Sequence, residues 1–337
     1  MGLASMRVLV TGGSGFIGSH LVEALIAGGH EVRCLLRSSS RPGWLEGLAV
    51  EHHIGDCTDP ASLSTAVARM DWVFHLAGVT RARRQQDYYL NNTQGTYNMA
   101  HACVANNPEL KRFVLVSSQA AAGPARDGHP SKETDSPRPI TAYGQSKLQA
   151  EQEIVKLKDS LHSVIIRPST VFGPRDRDFL EYVRWVKRGL LVNFGHFERT
   201  VSMCYVKDLV SGIMAAATQA LGSGSIYFLA DPRPYPWNEV ELACQNAVGR
   251  CARSVHLPSW ILHGMAIAAE TQGRLCRRTS ILSRARVAEL LEGRWACDAS
   301  RAMADLDFNP QFGLRAGLEQ TVAWYETEGW LPTTSRA

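Results

Sequence analysis

Few things constrain a chain as tightly as an apolar strand that runs straight into closely spaced glycines. Residues 8–18 read Val8-Leu9-Val10-Thr11-Gly12-Gly13-Ser14-Gly15-Phe16-Ile17-Gly18, and the amphipathic stretch Ser19–Ala27 follows as a helix. Each glycine answers a separate steric demand. Gly12 permits the tight turn, Gly15 lets backbone amides approach an anion with no side chain between, and Gly18 lets the helix pack against the strand it has just left. The helix N-terminus then faces the bound group, so the stretch reads as a cradle for the pyrophosphate of a dinucleotide. Gly12, Gly15, Phe16, Ile17 and Gly18 are the expected contacts.

Composition narrows the remaining possibilities. With 337 residues and 45% hydrophobic content the chain can bury a large core, and its length fits one large α/β domain plus a smaller unit. A net charge of +4 is too small for an obligate nucleic-acid binder. The arginine clusters at Arg81, Arg83 and Arg84 and at Arg274, Arg277 and Arg278 read as solvated faces. Eight cysteines, including Cys276, are scattered without a Cys-x-x-Cys pair, as in a reducing compartment. His52 and His53 are adjacent and would point to opposite faces of a strand, so no structural metal is expected. Met1–Met6 has no apolar core of signal-peptide length and no later run approaches a bilayer span, so the protein is expected to be soluble and cytoplasmic. Trp260–Ala269 reads as an amphipathic helix of the smaller unit.

Along the chain, strand and helix patterns alternate. Strands are expected at Arg7–Val10, Glu31–Leu36, Val50–Ile54, Asp71–Leu76, Arg112–Ser117 and Ser163–Arg167. Helices are expected at Ser19–Gly28, Pro60–Arg69, Asn92–Asn106 and Tyr143–Lys158. Such alternation calls for right-handed crossovers and a doubly wound α/β fold with a parallel sheet, its ligand at the carboxyl ends of the strands. The end of the second strand selects the cofactor. No acid stands there to bind an unphosphorylated ribose; the sequence offers Arg37 followed by Ser38 and Ser39, a set suited to a 2′-phosphate. NADP is therefore expected, with NAD as the alternative because an arginine can also stack on adenine. Asp56, followed by Cys57 at the end of the third strand, can accept from the adenine amino group, while Asp59 caps the next helix.

The chemistry falls to Tyr143 and Lys147, four residues apart and so on one face of a helix. A phenol is a poor acid or base at neutral pH, and a neighbouring ammonium brings it toward the working range. At the end of the fifth strand Ser117-Ser118 offers a hydroxyl to a substrate carbonyl. Together with the glycine turn, this set resembles the extended short-chain dehydrogenase/reductase family. The resemblance spans nearly the whole chain, through His75-Leu76-Ala77-Gly78, Asn92-Thr93-Gln94-Gly95-Thr96, Arg167-Pro168-Ser169-Thr170-Val171-Phe172-Gly173-Pro174 and Tyr205-Val206-Lys207-Asp208.

That resemblance implies a Rossmann domain at 1–173 with a return segment at 201–231, which includes a strand at Ser225–Ala230. A discontinuous substrate lobe would be built from 174–200 and 232–337, with Asn238 capping a helix after a proline turn. It implies Tyr143 as general acid/base, Lys147 as the group that tunes it and holds the nicotinamide ribose, and Ser118 as the group that polarises the reacting oxygen. Leu76, Ala77, Gly78, Ser117, Pro168 and Ser169 would line the cofactor. One departure is visible: where many members carry a tyrosine, Ala120-Ala121-Ala122-Gly123 leaves small residues.

Three function classes follow. A reductase or dehydrogenase would move hydride between a nicotinamide and a secondary alcohol or ketone; a nucleotide-sugar epimerase or dehydratase would use the same triad with a recycled cofactor; a non-catalytic sensor would not need the triad. The arginine that nucleotide-sugar members set some seven residues before the aspartate of the return motif is here Val201, with Arg199 two residues away. The lobe is apolar, with Trp185, Phe194, Phe197, Trp260, Ile261, Leu262, Met265 and Ile267, although such residues can equally form the lobe's own core. The expectation is a largely apolar, sterol-, terpenoid- or flavonoid-like small-molecule substrate, with a homodimer as the only macromolecular partner.

Overall fold

In the computed structural model, which describes residues 5–126, 128–194, 199–275 and 284–332, the apolar runs become one parallel sheet. Its strands are β1 (Arg7–Thr11), β2 (Glu31–Leu36), β3 (Val50–Ile54), β4 (Trp72–His75), β5 (Arg112–Val116), β6 (Ser163–Pro168) and β7 (Ser225–Leu229). They lie side by side as β7-β6-β5-β4-β1-β2-β3. The order reverses between β1 and β4, which opens a crevice at their carboxyl ends. Phe197, Cys276, Arg277, Arg278 and both chain ends fall outside the described residues.

Alternation along each strand divides the core in two. Val8 and Val10 join Leu21 and Val22 of α1 (Phe16–Ala27) on one face, while Leu9 joins Met99 and Cys103 of α2 (Gly95–Asn106) on the other. Ala150 and Ile154 of α3 (Ala142–Lys156) share the second core, and Leu209 and Ile213 of α4 (Val206–Thr218) share the first. A third core unites Val183 of the helix Arg177–Lys187, Val240 of Trp237–Val248 and Leu318 of Leu314–Thr327. The helix Ser300–Leu306, within the span expected in the lobe, instead packs Ala302 and Leu306 into the first core.

Local differences from expectation have identifiable causes. Helix α1 begins at Phe16, with Gly15 as its N-cap, because the turn closes at Gly15, whose amide donates to the Gly12 carbonyl at 3.0 Å, so that Phe16, Ile17 and Gly18 already belong to the helix. Pro60–Arg69 divides into a 3₁₀ turn at Pro60–Ser62, capped by Asp59, and a short helix at Ser64–Val67. A π-helical turn at Tyr89–Gln94 precedes α2 and carries Asn92 inward, where it is buried. Asn238 caps nothing: the helix starts at Trp237 with Pro236 at the N-cap position and no side-chain cap.

Candidate active site

The glycine turn is held by close backbone approaches. Gly12 adopts φ +72°, and a Cβ there would meet the Ala77 amide nitrogen at 2.8 Å. A Cβ at Gly18 would collide with the Gly12 carbonyl. No side chain caps α1, so its first-turn amides are presented to the crevice. Phe16 packs its side chain against the third core, and Ile17 packs against both the first and the third. The cleft beyond the turn is lined by Gly12, Arg37, Asp56, Cys57, Ala77 and Gly78, which brings the residues expected at an adenosine site to one place. Arg37 is exposed and enters no ion pair among the described residues. Asp56 accepts from the Thr58 amide (2.8 Å) and hydroxyl (2.9 Å). Burial pushes the Cys57 thiol up to about 12, so it stays protonated.

Beside Gly12 runs a buried hydrogen-bond chain. The Thr11 hydroxyl accepts from the Ala77 amide at 3.0 Å and so turns its proton to His75 Nδ1, 2.8 Å away. Thr96 gives its proton to the Asn92 carbonyl at 2.6 Å, so His75 Nε2 donates to the Thr96 oxygen at 3.1 Å. This network keeps His75 neutral. Burial, helped by the charge of Lys147, takes its pKa down to about 3.

Lys147 lies at the centre. It is 6% exposed, donates to the Val116 carbonyl at 3.0 Å, and would stand 3.4 Å from any Cβ at Gly78. Desolvation lowers its pKa to about 8, against the pull of Glu151 one turn along α3. Tyr143, one turn earlier on the same face, is half-buried, its ring 6.1 Å from that of Tyr88. Ser118 caps the short helix Gln119–Ala122, its hydroxyl oxygen accepting from the Ala120 amide at 3.1 Å. The Ala120 carbonyl lies so close to Gly144 that a Cβ there would collide with it, which packs the Ser118 turn against the start of α3. The alanine run is taken up by that short helix, with Ala121 fully buried.

Ser117 faces the opposite way from Ser118. Its hydroxyl donates to Glu151 at 2.5 Å, and Glu151 also accepts from Arg167 Nε (3.0 Å) and Nη2 (2.6 Å). Glu151 and Arg167 are 2% and 1% exposed, so this carboxylate ties β5, β6 and α3 together beneath the site. Pro168 ends β6, and Ser169, anchored by its amide to the Leu229 carbonyl at 3.1 Å, keeps a buried hydroxyl without a partner among the described residues. The buried Gln119 Nε2 is likewise unpartnered there.

Sequence reasoning missed Asn92, Gln119 and Glu151. Asn92 accepts from the Val79 amide (2.7 Å) and donates to the Val79 carbonyl (3.1 Å) and the Ser146 hydroxyl (2.9 Å), fixing the loop after Gly78 to α3. The motif Asn92-Thr93-Gln94-Gly95-Thr96 marked the segment as part of the family resemblance but assigned Asn92 no role. Arg199 turns into the lobe, where it donates to the Leu290 carbonyl and lies over the Trp237 ring at 5.6 Å. Val201 is buried in the third core.

A cradle closed to Cβ atoms, an uncapped helix N-terminus and the orphan Ser169 hydroxyl all fit a nicotinamide dinucleotide. Residues 8–230 match the model of the NAD-dependent epimerase/dehydratase family. The chain is similar to the ceramide reductase of Caulobacter vibrioides, 29% identical over 329 residues and 96% of both chains. It is 30% identical over 280 residues to a 3-beta-hydroxysteroid dehydrogenase of Mycolicibacterium neoaurum, covering 76% of this chain and 74% of that one. The UDP-glucose 4-epimerase of Thermotoga maritima, solved with UDP-glucose, superposes with a TM-score of 0.79 over 96% of this chain and 99% of that one, at 23% identity.

Proposed function

Because the chain belongs to the NAD-dependent epimerase/dehydratase family, we propose that it is a nicotinamide-dependent reductase or dehydrogenase acting on a largely apolar ketone or secondary alcohol. The observation that carries this reading is the disposition of Arg199. Its guanidinium is committed inside the lobe, and Val201 is buried where a sugar-nucleotide site would need a cation facing a diphosphate. The two relatives named for ceramide and hydroxysteroid chemistry support an apolar substrate.

When bound, the nicotinamide supplies or accepts the hydride. The chain's own groups handle the proton and the orientation. Ser118, whose oxygen already accepts from Ala120, has its proton left to donate to the reacting oxygen. Tyr143 gives its phenolic proton to that oxygen as charge develops, and the Lys147 ammonium favours the phenolate left behind. Lys147, held against Gly78 and the Val116 carbonyl, is also placed to bind a ribose hydroxyl. Arg37, at the edge of the adenosine cleft, favours NADP over NAD. The site residues and the division into 1–173 with 201–231 and a lobe of 174–200 and 232–337 belong to the same proposal.

The test is NADPH oxidation against a panel of cyclic and aromatic ketones, with Tyr143→Phe beside the native protein. Turnover should appear and fall by roughly two to four orders of magnitude in the variant while cofactor binding survives. A clear thermal shift with millimolar UDP-glucose, and no ketone turnover, would transfer the protein to the epimerase class.

A further inference from the structure

The catalytic helix α3 starts against a residue that lies 148 positions further along the chain. Thr141 is its N-cap, and Ala142, Tyr143 and Gly144 open its first turn. The buried Thr141 hydroxyl accepts from the Gly144 amide at 3.1 Å, and its one proton goes to Glu289 Oε1, also at 3.1 Å. A hydroxyl that gives its proton to a carboxylate is the stronger acceptor for it, so the bond to Glu289 tightens the cap that starts α3.

Glu289 is itself held in place. It lies near the C-terminal end of the helix Arg284–Leu291, whose Val287, Leu290 and Leu291 pack on Leu262 and Ala266 of the helix Ser259–Leu275. Two carbonyls at that end are tied down: the Trp295 indole donates to the Glu289 carbonyl at 3.0 Å, and Arg199 donates to that of Leu290. On α3 itself, the Ala120 carbonyl leaves no room for a Cβ at Gly144. The first turn of α3 is therefore braced twice, by the Ser118 turn and by a helix from the far part of the chain.

We propose that Glu289 is a positioning residue for Tyr143: through the Thr141 hydroxyl it fixes the first turn of α3, and with it the place of the phenol relative to Ser118 and Lys147. It acts on the turn and not on the reacting oxygen. Proton transfer depends steeply on distance and direction, and a displacement of about 1 Å can cost roughly a hundredfold in rate. Loss of the brace should therefore appear in turnover more than in binding. The catalytic part of this inference rests on the role proposed for Tyr143; the brace on α3 does not.

The test compares the full-length protein with Glu289→Ala, Glu289→Gln, Thr141→Val and the double variant Glu289→Ala, Thr141→Val. In ketone reduction Glu289→Ala should lower kcat about tenfold or more, with KM for NADPH and for ketone within about twofold of native. Glu289→Gln, whose amide oxygen still accepts, should recover most of that loss. Both single changes break one bond, so the double variant should fall no further than Thr141→Val alone. Hydrogen exchange supplies a readout without substrate: in Glu289→Ala the Gly144 amide should exchange about tenfold faster, while those of Ala150 and Ile154, further along α3, keep their native rates and show the fold intact. Native kcat in Glu289→Ala, a loss confined to KM, an equal loss in Glu289→Gln, additive losses in the double variant, or unchanged exchange at Gly144 would each overturn the proposal. A native protein that reduces no ketone would remove the ketone reading alone, because the exchange rates still decide the brace.

Discussion

Replacing Lys147 with Met should inactivate the protein and, at neutral pH, stabilise it. Burial takes this ammonium from the usual 10.5 to about 8, and each pH unit corresponds to about 1.4 kcal/mol, so holding the charge costs the folded state about 3 kcal/mol. Methionine fills a similar volume without the charge but loses the bond to the Val116 carbonyl, worth about 1–1.5 kcal/mol. The net expectation below pH 8 is a gain of about 1–2 kcal/mol. Its sign depends on pH. A lysine whose pKa is depressed on folding contributes stability that is present above its unfolded value and lost as pH falls toward its folded value. Between pH 8 and 10.5 the native protein should therefore gain on the variant, and above that window it should be the more stable of the two. Urea unfolding of both proteins from pH 7 to 11 is the assay. A variant less stable at pH 7, by an amount that stays flat to pH 11, would refute the account of Lys147 as a buried charge held against its own desolvation.

Other outcomes follow from the same geometry. His75, kept neutral with a pKa of about 3, should lose the fold about 4–5 kcal/mol as pH falls from 6.5 toward 3, a slope that His75→Gln should flatten in urea midpoints. Glu151→Ala leaves Arg167 charged and buried without its carboxylate, so unfolding should become easier by about 3–5 kcal/mol, read by chemical denaturation. Glu151→Gln, which keeps most of the hydrogen bonding, should lose less. Arg37→Asp should weaken NADPH binding sharply while leaving NADH binding unchanged or improved; equal losses in titrations of the two cofactors would remove the NADP assignment.

What could be read from the sequence was whatever depends on short-range pattern. Strands buried on both faces of a parallel sheet must be continuously apolar, so β1, β5 and β6 declare themselves as Val8-Leu9-Val10, Phe113-Val114-Leu115-Val116 and Val164-Ile165-Ile166. Tyr143 and Lys147 are legible because helical spacing sets them on one face. Glu151 was not, because its meaning comes from Arg167, which reaches it only after β6 has been laid beside β5. Asn92 acquires its role from a π-helical turn, whose start no local residue preference marks. For Trp260 and Leu262 the period was clear and the partner was not: both are apolar on one helix, and only packing decides that the second is buried and the first exposed.

The polar groups beneath the site share one logic. Lys147 is held where its charge is poorly solvated, yet the groups around it are arranged to keep that charge in place. Glu151 pulls it toward protonation from one turn away, while Arg167 and Ser117 saturate the same carboxylate and leave it no reason to swing toward the ammonium. His75 is deprived of its proton by burial, with the same lysine's charge adding to it, and contributes only as a neutral link between Thr11 and Thr96. The lysine is thereby left as an unpaired cation pointing at Gly78, on the face it shares with Tyr143. A tightly ion-paired lysine would have lost its field at the phenol; a fully solvated one would have had that field screened by water. Burial with the carboxylate at one remove is the arrangement that the role proposed for Lys147 beside Tyr143 requires.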